Sequence, residues 1–297
     1  MPIKYDIVHT TTYSYAKPVT FGEHRVMFRP LDSHDLRVLA TDLVVSPDAN
    51  IRLIQDQFSN SVALVQPQSD AAELKIVCSF TIEHAHSNNL ELPLSPSAEF
   101  FPFAYSVDER FDLEHFLRPH YDDPEGKLTA WARQFMNPDG PTGTRDLLVK
   151  MNQHIRDSFS YAARDEEGTQ TPLETLEKNT GSCRDFALLM MEAARRLGVA
   201  TRFVSGYLYD PALDDANPET EPNVIGAGST HAWLQAYLPG AGWVPFDPTN
   251  NLLGGYQLLR VGVARDPKQA SPVSGSWIGE PASYLGMKVD VSVKRVA

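Results

Sequence analysis

Cysteine, positive charge and long apolar runs are all scarce in this sequence. There are two cysteines among 297 residues, Cys78 and Cys183. Two thiols cannot build the disulfide framework that staples small secreted domains, so both are expected to be free. No stretch reaches the ~18 consecutive apolar residues that a membrane-crossing helix needs. The opening Met1-Pro2-Ile3-Lys4-Tyr5-Asp6 has no basic end followed by an apolar core, so no export signal is read there. Lys and Arg number 26 against 38 Asp and Glu, a formal net charge of -12. No basic cluster offsets this, and nucleic-acid phosphates or anionic membrane surfaces would be repelled. Internal repeats and cofactor motifs are also missing. The acidic run Asp165-Glu166-Glu167-Gly168 lacks the alternating carboxylates of a calcium loop and reads as a solvated loop. These absences set the expectation of a cytoplasmic protein with no cofactor, no structural metal, and no nucleic-acid or membrane partner.

What is present is ordinary globular material, 42% hydrophobic and 22% charged, enough for one large domain or two modest ones. Strand formers dominate Lys4–Tyr15, Leu36–Val45, Ile51–Phe58 and Leu74–Glu83, with a turn at Ser46-Pro47-Asp48-Ala49-Asn50. The first region, residues 1–90, therefore reads as a small β-sandwich with Cys78 as a buried structural thiol. Over 91–143, seven prolines (Pro93, Pro96, Pro102, Pro119, Pro124, Pro138 and Pro141) predict a wrapping linker with one short helix at Leu128–Phe135. From Thr144 the apolar spacing turns helical, through Leu147, Leu148, Met151, Ile155 and Phe159. A second helix is predicted over Ser182–Leu197, with Gly198 at its C-terminal cap. Strands follow at Thr201–Tyr209, Thr230–Leu238, Trp243–Phe246 and Met287–Val293. A long loop, Asp210–Ser229, precedes the second of these and is expected to border the functional cleft. The fold class is α+β.

Three short blocks carry chemistry. Gly181-Ser182-Cys183-Arg184-Asp185-Phe186-Ala187 places a cysteine where a helix begins. Free backbone N–H groups there favour a thiolate and offer an oxyanion donor, and Gly181 would let a substrate approach the sulfur. Taken alone, this motif fits a small core thiol on a packed helix better than a nucleophile. Thr230-His231-Ala232-Trp233 adds a histidine at a strand start, and Phe246-Asp247-Pro248-Thr249 adds a carboxylate at a strand end. Thiol, imidazole and carboxylate together form the nucleophile–base–orienter set of acyl-transfer enzymes. A metal site made of the same three residues lacks close ligand spacing and a fourth ligand.

The hairpin between the last two blocks is a constraint. His231 and Asp247 are both odd-numbered, and side chains alternate faces along a strand. They share a face only if paired residue numbers sum to an even value. A two-residue turn at Gly240-Ala241 would set Asp247 opposite Leu234, on the packing face. A three- or five-residue connection or a bulge is required, with a carboxylate oxygen within roughly 2.6–3.2 Å of an imidazole nitrogen.

Gly-Ser-Cys-Arg-Asp-Phe-Ala, His-Ala-Trp and Asp-Pro-Thr, in that order and with Gly242-Trp243 between the last two, resemble the bacterial transglutaminase-like superfamily. Ile7-Val8-His9-Thr10 through Tyr13-Ser14-Tyr15, with Phe28-Arg29-Pro30, is similar to the β domain that often precedes this core. Arg202–Tyr207, Arg265-Asp266-Pro267 and the final valine strand extend the likeness over nearly the whole chain. The resemblance implies a papain-like core over 144–297, C-terminal strand included, with a nucleophile helix packed on an antiparallel sheet. It assigns Cys183 as nucleophile, His231 as general base and acid, and Asp247 as orienter. The activity implied is cleavage or transfer of amide acyl groups, peptide or isopeptide, through a thioester, with a peptide or protein as substrate. The alternative is a non-enzymatic interaction module on the same scaffold.

Overall fold

Alternation of inward and outward side chains over Ile3–Phe21 makes a 19-residue strand, β1, whose odd residues Tyr5, Ile7, His9, Thr11 and Tyr15 are buried. The computed structural model describes residues 2–85, 91, 93–163, 168–214 and 223–296. After β1 come β2 (His24–Val26), β3 (Leu36–Ser46), β4 (Ala49–Gln55), β5 (Ser61–Pro67) and β6 (Ala71–His84). In β6 the even residues Leu74, Ile76, Cys78, Phe80 and Ile82 point inward. They share one buried core with Val26, Ala63 and Val65 of the second sheet, which is the expected β-rich N-terminal region. Cys78 is 2% exposed, a core thiol.

The prolines of the connecting segment leave room for more structure than one helix. Two short helices, α1 (Val107–Asp112) and α2 (Glu114–Leu117), precede α3 (Lys127–Arg133). The segment is pinned to the core by a buried ion pair on the helix that carries Cys183. Glu192 Oε1 meets Arg195 Nη1 at 2.7 Å, and Glu192 Oε2 accepts the His120 and Tyr121 N–H groups. Arg195 also donates to the carbonyls of Phe116, Thr201 and Arg265. Burying two charges is costly, and such a pair persists where its remaining donors and acceptors are satisfied.

The core holds α4 (Thr144–Ser158), α5 (Pro172–Lys178) and α6 (Cys183–Arg196). Its sheet is built from β7 (Thr201–Leu208), β8 (Thr230–Leu238), β9 (Gly242–Phe246) and β10 (Leu258–Ala264), in the order β9-β8-β7-β10, all antiparallel. Phe203, Ala232, Leu234 and Ala236 pack with α6, while Val204 and Trp233 form a second cluster with Leu258 and Val263. Both faces of the sheet are thus covered. Beyond it, β11 (Val273–Ser274) joins β2, and the last strand, β12 (Tyr284–Val296), pairs antiparallel along β1 from Lys4↔Val296 to Tyr15↔Tyr284. The final valine strand therefore extends the sheet of the N-terminal region and not the core sheet. Among the described residues no helix is long and apolar enough to cross a membrane.

Candidate active site

Helix α6 starts at Cys183 because Ser182 and Asp185 close its first turn. The Asp185 carboxylate accepts the Ser182 N–H at 2.8 Å and its hydroxyl at 2.9 Å, and also takes the Gln170 N–H at 2.7 Å. Asp185 is fully buried, so these bonds fix the turn that presents the sulfur. The glycine before it serves this packing. A Cβ on Gly181 would come within 2.8 Å of the Asp185 Cβ, so the space left by that glycine is taken by Asp185 and not held open for a substrate, as the sequence suggested.

His231 opens β8 and is 1% exposed. Its Nε2 lies 2.9 Å from Asp247 Oδ2. The connection that allows this is Pro239-Gly240-Ala241. Leu238 pairs with Gly242 and Leu234 with Phe246, so the register sum is even and the loop has three residues, as the shared face requires. Asp247 is buried, and its backbone is held in a bridge to Leu252. Its Oδ1 accepts the Thr249 N–H at 2.9 Å, and its Oδ2 also accepts from Asn250 Nδ2 at 3.1 Å. Burial acts to lower the imidazole pKa. The Asp247 carboxylate outweighs it, with Cys183 acting in the same direction, and holds the ring up to about 10.

Because Asp247 takes the Nε2 side, Nδ1 is the free nitrogen. It makes no hydrogen bond of ordinary geometry among the described residues, while the Cys183 side chain lies near enough to raise the ring's pKa. Cys183 and His231 face one cleft of about 340 Å³, whose other walls include Ser205 of β7, Tyr161 and Pro272. The N-terminal region supplies a further wall: His9, Thr11 and Tyr13 of β1 with Met287 and Val289 of β12. The His231 ring also stacks at 6.1 Å on Trp233. Gly206 makes room for that indole, since a Cβ there would lie 2.7 Å from it and 2.2 Å from the Leu259 carbonyl oxygen. The glycine of the Ser-Gly-Tyr strand is thus a packing requirement.

The loop before His231 reaches the same place. Ser229 lines the cleft, and a Cβ on Gly226 would fall 2.7 Å from His231 Nδ1. Residues 215–222 of the predicted Asp210–Ser229 loop, and 165–167 of the acidic loop, lie outside the described residues. Sequence reasoning missed the parts played by Asp185, Gln170 and Asn250. Asp185 had a readable signal, an acid three residues after a serine at a helix start. Gln170 acts through a tertiary contact that leaves no local pattern, and Asn250 joins the nearby Asp247 to Ile225, which lies 25 residues away in the sequence.

The model of the transglutaminase-like superfamily core matches residues 129–248, and that of the bacterial transglutaminase-like N-terminal region matches residues 5–83. An uncharacterised protein of Mycobacterium leprae (strain TN) is 26% identical over 287 residues, 96% of this chain and 97% of its own. A protein-glutamine gamma-glutamyltransferase of Pseudomonas aeruginosa is 22% identical over 236 residues, 76% of this chain and 33% of that protein. The crystal structure of a candidate cysteine protease from Cytophaga hutchinsonii superposes with a TM-score of 0.69 at 20% identity, over 99% of this chain and 91% of that one, a likeness of fold.

Proposed function

The chain belongs to the transglutaminase-like superfamily, and on that premise we propose that it is a cysteine-nucleophile enzyme acting on amide bonds of peptides or proteins. The observation that carries this reading is the 2.9 Å contact between His231 and the buried Asp247, with His231 and Cys183 lining one cleft. The Cys183 sulfur, as thiolate, bonds to the amide carbonyl carbon, and the developing oxyanion is met by the Cys183 N–H at the start of α6. His231, held by Asp247 through Nε2, carries its mobile proton on Nδ1. It gives that proton to the departing amine as the C–N bond breaks, which leaves a thioester. Water or a second amine then attacks the thioester, His231 takes a proton from it, and the sulfur is released.

A peptide library offering glutamine side chains and internal peptide bonds, incubated with hydroxylamine, tests this. Wild-type protein should form hydroxamates, and acid quenching should trap an acyl group on Cys183, seen by mass spectrometry. Cys183→Ala should give neither while unfolding at the wild-type denaturant midpoint. Equal product from both proteins would end the proposal.

A further inference from the structure

Strand β12 has one paired edge and one open edge. In an antiparallel ladder, alternate residues turn their N–H and C=O groups toward the partner, and the residues between turn them away. Two bonds fix which is which here. Val291 donates its N–H to the Gly228 carbonyl at 3.3 Å, and Arg295 donates its N–H to Asp214 Oδ1 at 3.0 Å. Neither acceptor belongs to β1, so the odd residues of β12 face outward. By the same parity the N–H and C=O groups of Val289 and Met287, opposite Thr11 and Tyr13, point out of the sheet. Among the described residues nothing pairs with them.

The side chains of these two residues line the cleft that contains Cys183. The loop that leads to His231 pairs with the edge at Val291 and then leaves it to enter β8, so the edge is vacated where the cleft opens. Natural edge strands are commonly blunted by charge. In β12 the charged Lys288, Asp290 and Lys294 alternate with the outward-bonding Met287, Val289 and Val291, which are apolar, and Tyr284–Met287 carries no charge. There Tyr284, Leu285 and Met287 are exposed by 44%, 66% and 53%. An open hydrogen-bonding edge, apolar side chains beside it and a nucleophile in the same cleft are the requirements for taking up an extended chain.

We propose that the outer edge of β12 at Met287–Val289 is the docking strand for the substrate, a peptide that adds to the sheet in extended form and leads its reacting carbonyl to Cys183. This rests on the proposed thiol chemistry and specifies the substrate as an unfolded or extended segment. Recognition would come mainly from the main chain, with Gly228 occupying one position of the edge.

The test uses a valine–alanine tetrapeptide fluoromethyl ketone, its single-residue counterpart, and iodoacetamide, each scored by alkylation of Cys183. The tetrapeptide should react about tenfold faster than the single-residue reagent, the effect of one or two main-chain hydrogen bonds. Methylating the tetrapeptide amide that meets the edge should remove this gain. Val289→Pro should remove it as well, because that N–H takes no part in the ladder with β1 and proline is tolerated on an edge. Val289→Ala should keep the gain, with each variant's peptide rates taken relative to its own iodoacetamide rate. If the proline variant fails to fold, the methylated peptides on wild-type protein decide. A tetrapeptide no faster than its single-residue counterpart, or indifference to methylation at every amide, would overturn the docking strand. A Cys183 that none of the reagents alkylates would instead overturn the thiol chemistry on which it rests.

Discussion

Asn250 Nδ2 donates to Asp247 Oδ2 at 3.1 Å and to the Ile225 carbonyl at 3.0 Å, and Asn250 Oδ1 accepts the Ile225 N–H at 2.9 Å. One amide thus ties the carboxylate that holds His231 to the loop that lies against the other nitrogen of the same ring. Asn250→Ala removes all three bonds and should cost about 2–3 kcal/mol in urea unfolding. Asn250→Asp sets a second carboxylate against Asp247 and should cost more. An unchanged midpoint in both variants would show that this link is not structural.

The charge state of His231 sets a pH dependence. Its pKa is raised from an ordinary 6.5 to about 10, chiefly because the Asp247 carboxylate overcomes the effect of burial. The imidazolium therefore persists through neutral pH. The stability it contributes is fully present below 6.5 and is lost as pH rises toward about 10. Iodoacetamide alkylation of Cys183, followed against pH, should show the imidazolium titrating on the alkaline side. Asp247→Ala should move that titration to lower pH, since Cys183 alone then opposes the effect of burial. A profile that Asp247→Ala leaves in place would remove Asp247 from the role of orienter.

His9 behaves in the opposite sense. It is buried between the Tyr207 hydroxyl at 2.8 Å and the Thr11 hydroxyl at 3.0 Å, and its ring is stacked 3.7 Å from that of Phe28. Burial lowers its pKa to about 3, so the folded state holds it neutral. Stability from this site is present above 6.5 and is lost as pH falls, by about 1.4 kcal/mol per pH unit. Wild-type protein should lose more stability between pH 6.5 and 5 than His9→Gln, by roughly 2 kcal/mol in paired urea titrations. Parallel losses would show that His9 is charged in the fold.

Gly206→Ala should destabilise by about 3 kcal/mol or more, because the new methyl meets a backbone oxygen as well as an indole. Relief by a second change, Trp233→Phe, should be partial, since the Leu259 carbonyl remains. Differential scanning calorimetry of the two variants reads this directly.

The parts of this molecule governed by local periodicity were legible. Helix α6 was expected over Ser182–Leu197 and runs Cys183–Arg196 between those two caps. The odd-residue hairpin followed from two residue numbers and the two-residue repeat of a strand. Strand β10 was not anticipated, because Gly262 interrupts its pattern and its burial comes from both faces of a finished sheet. Helix α5 is seven residues long, too short for apolar spacing to reveal, although its Thr171–Glu174 capping box was there to read. The pairing of β12 with β1 joins the two ends of the sequence, and a strand's own residues do not name its partner. That pairing places Met287 and Val289 in the cleft, so the wall from the N-terminal region could not be foreseen from either strand alone.

The measurement that bears most directly on the central claim is the iodoacetamide labelling of the native protein at pH 7, resolved by residue. Cys78 is 2% exposed in the N-terminal core, where burial pushes its pKa up to about 11. Cys183 faces the cleft beside His231 at the start of α6. The account requires Cys183 to react on the order of a hundredfold faster than Cys78, and to lose most of that advantage in His231→Ala. Equal labelling of the two thiols, or faster labelling of Cys78, would contradict it.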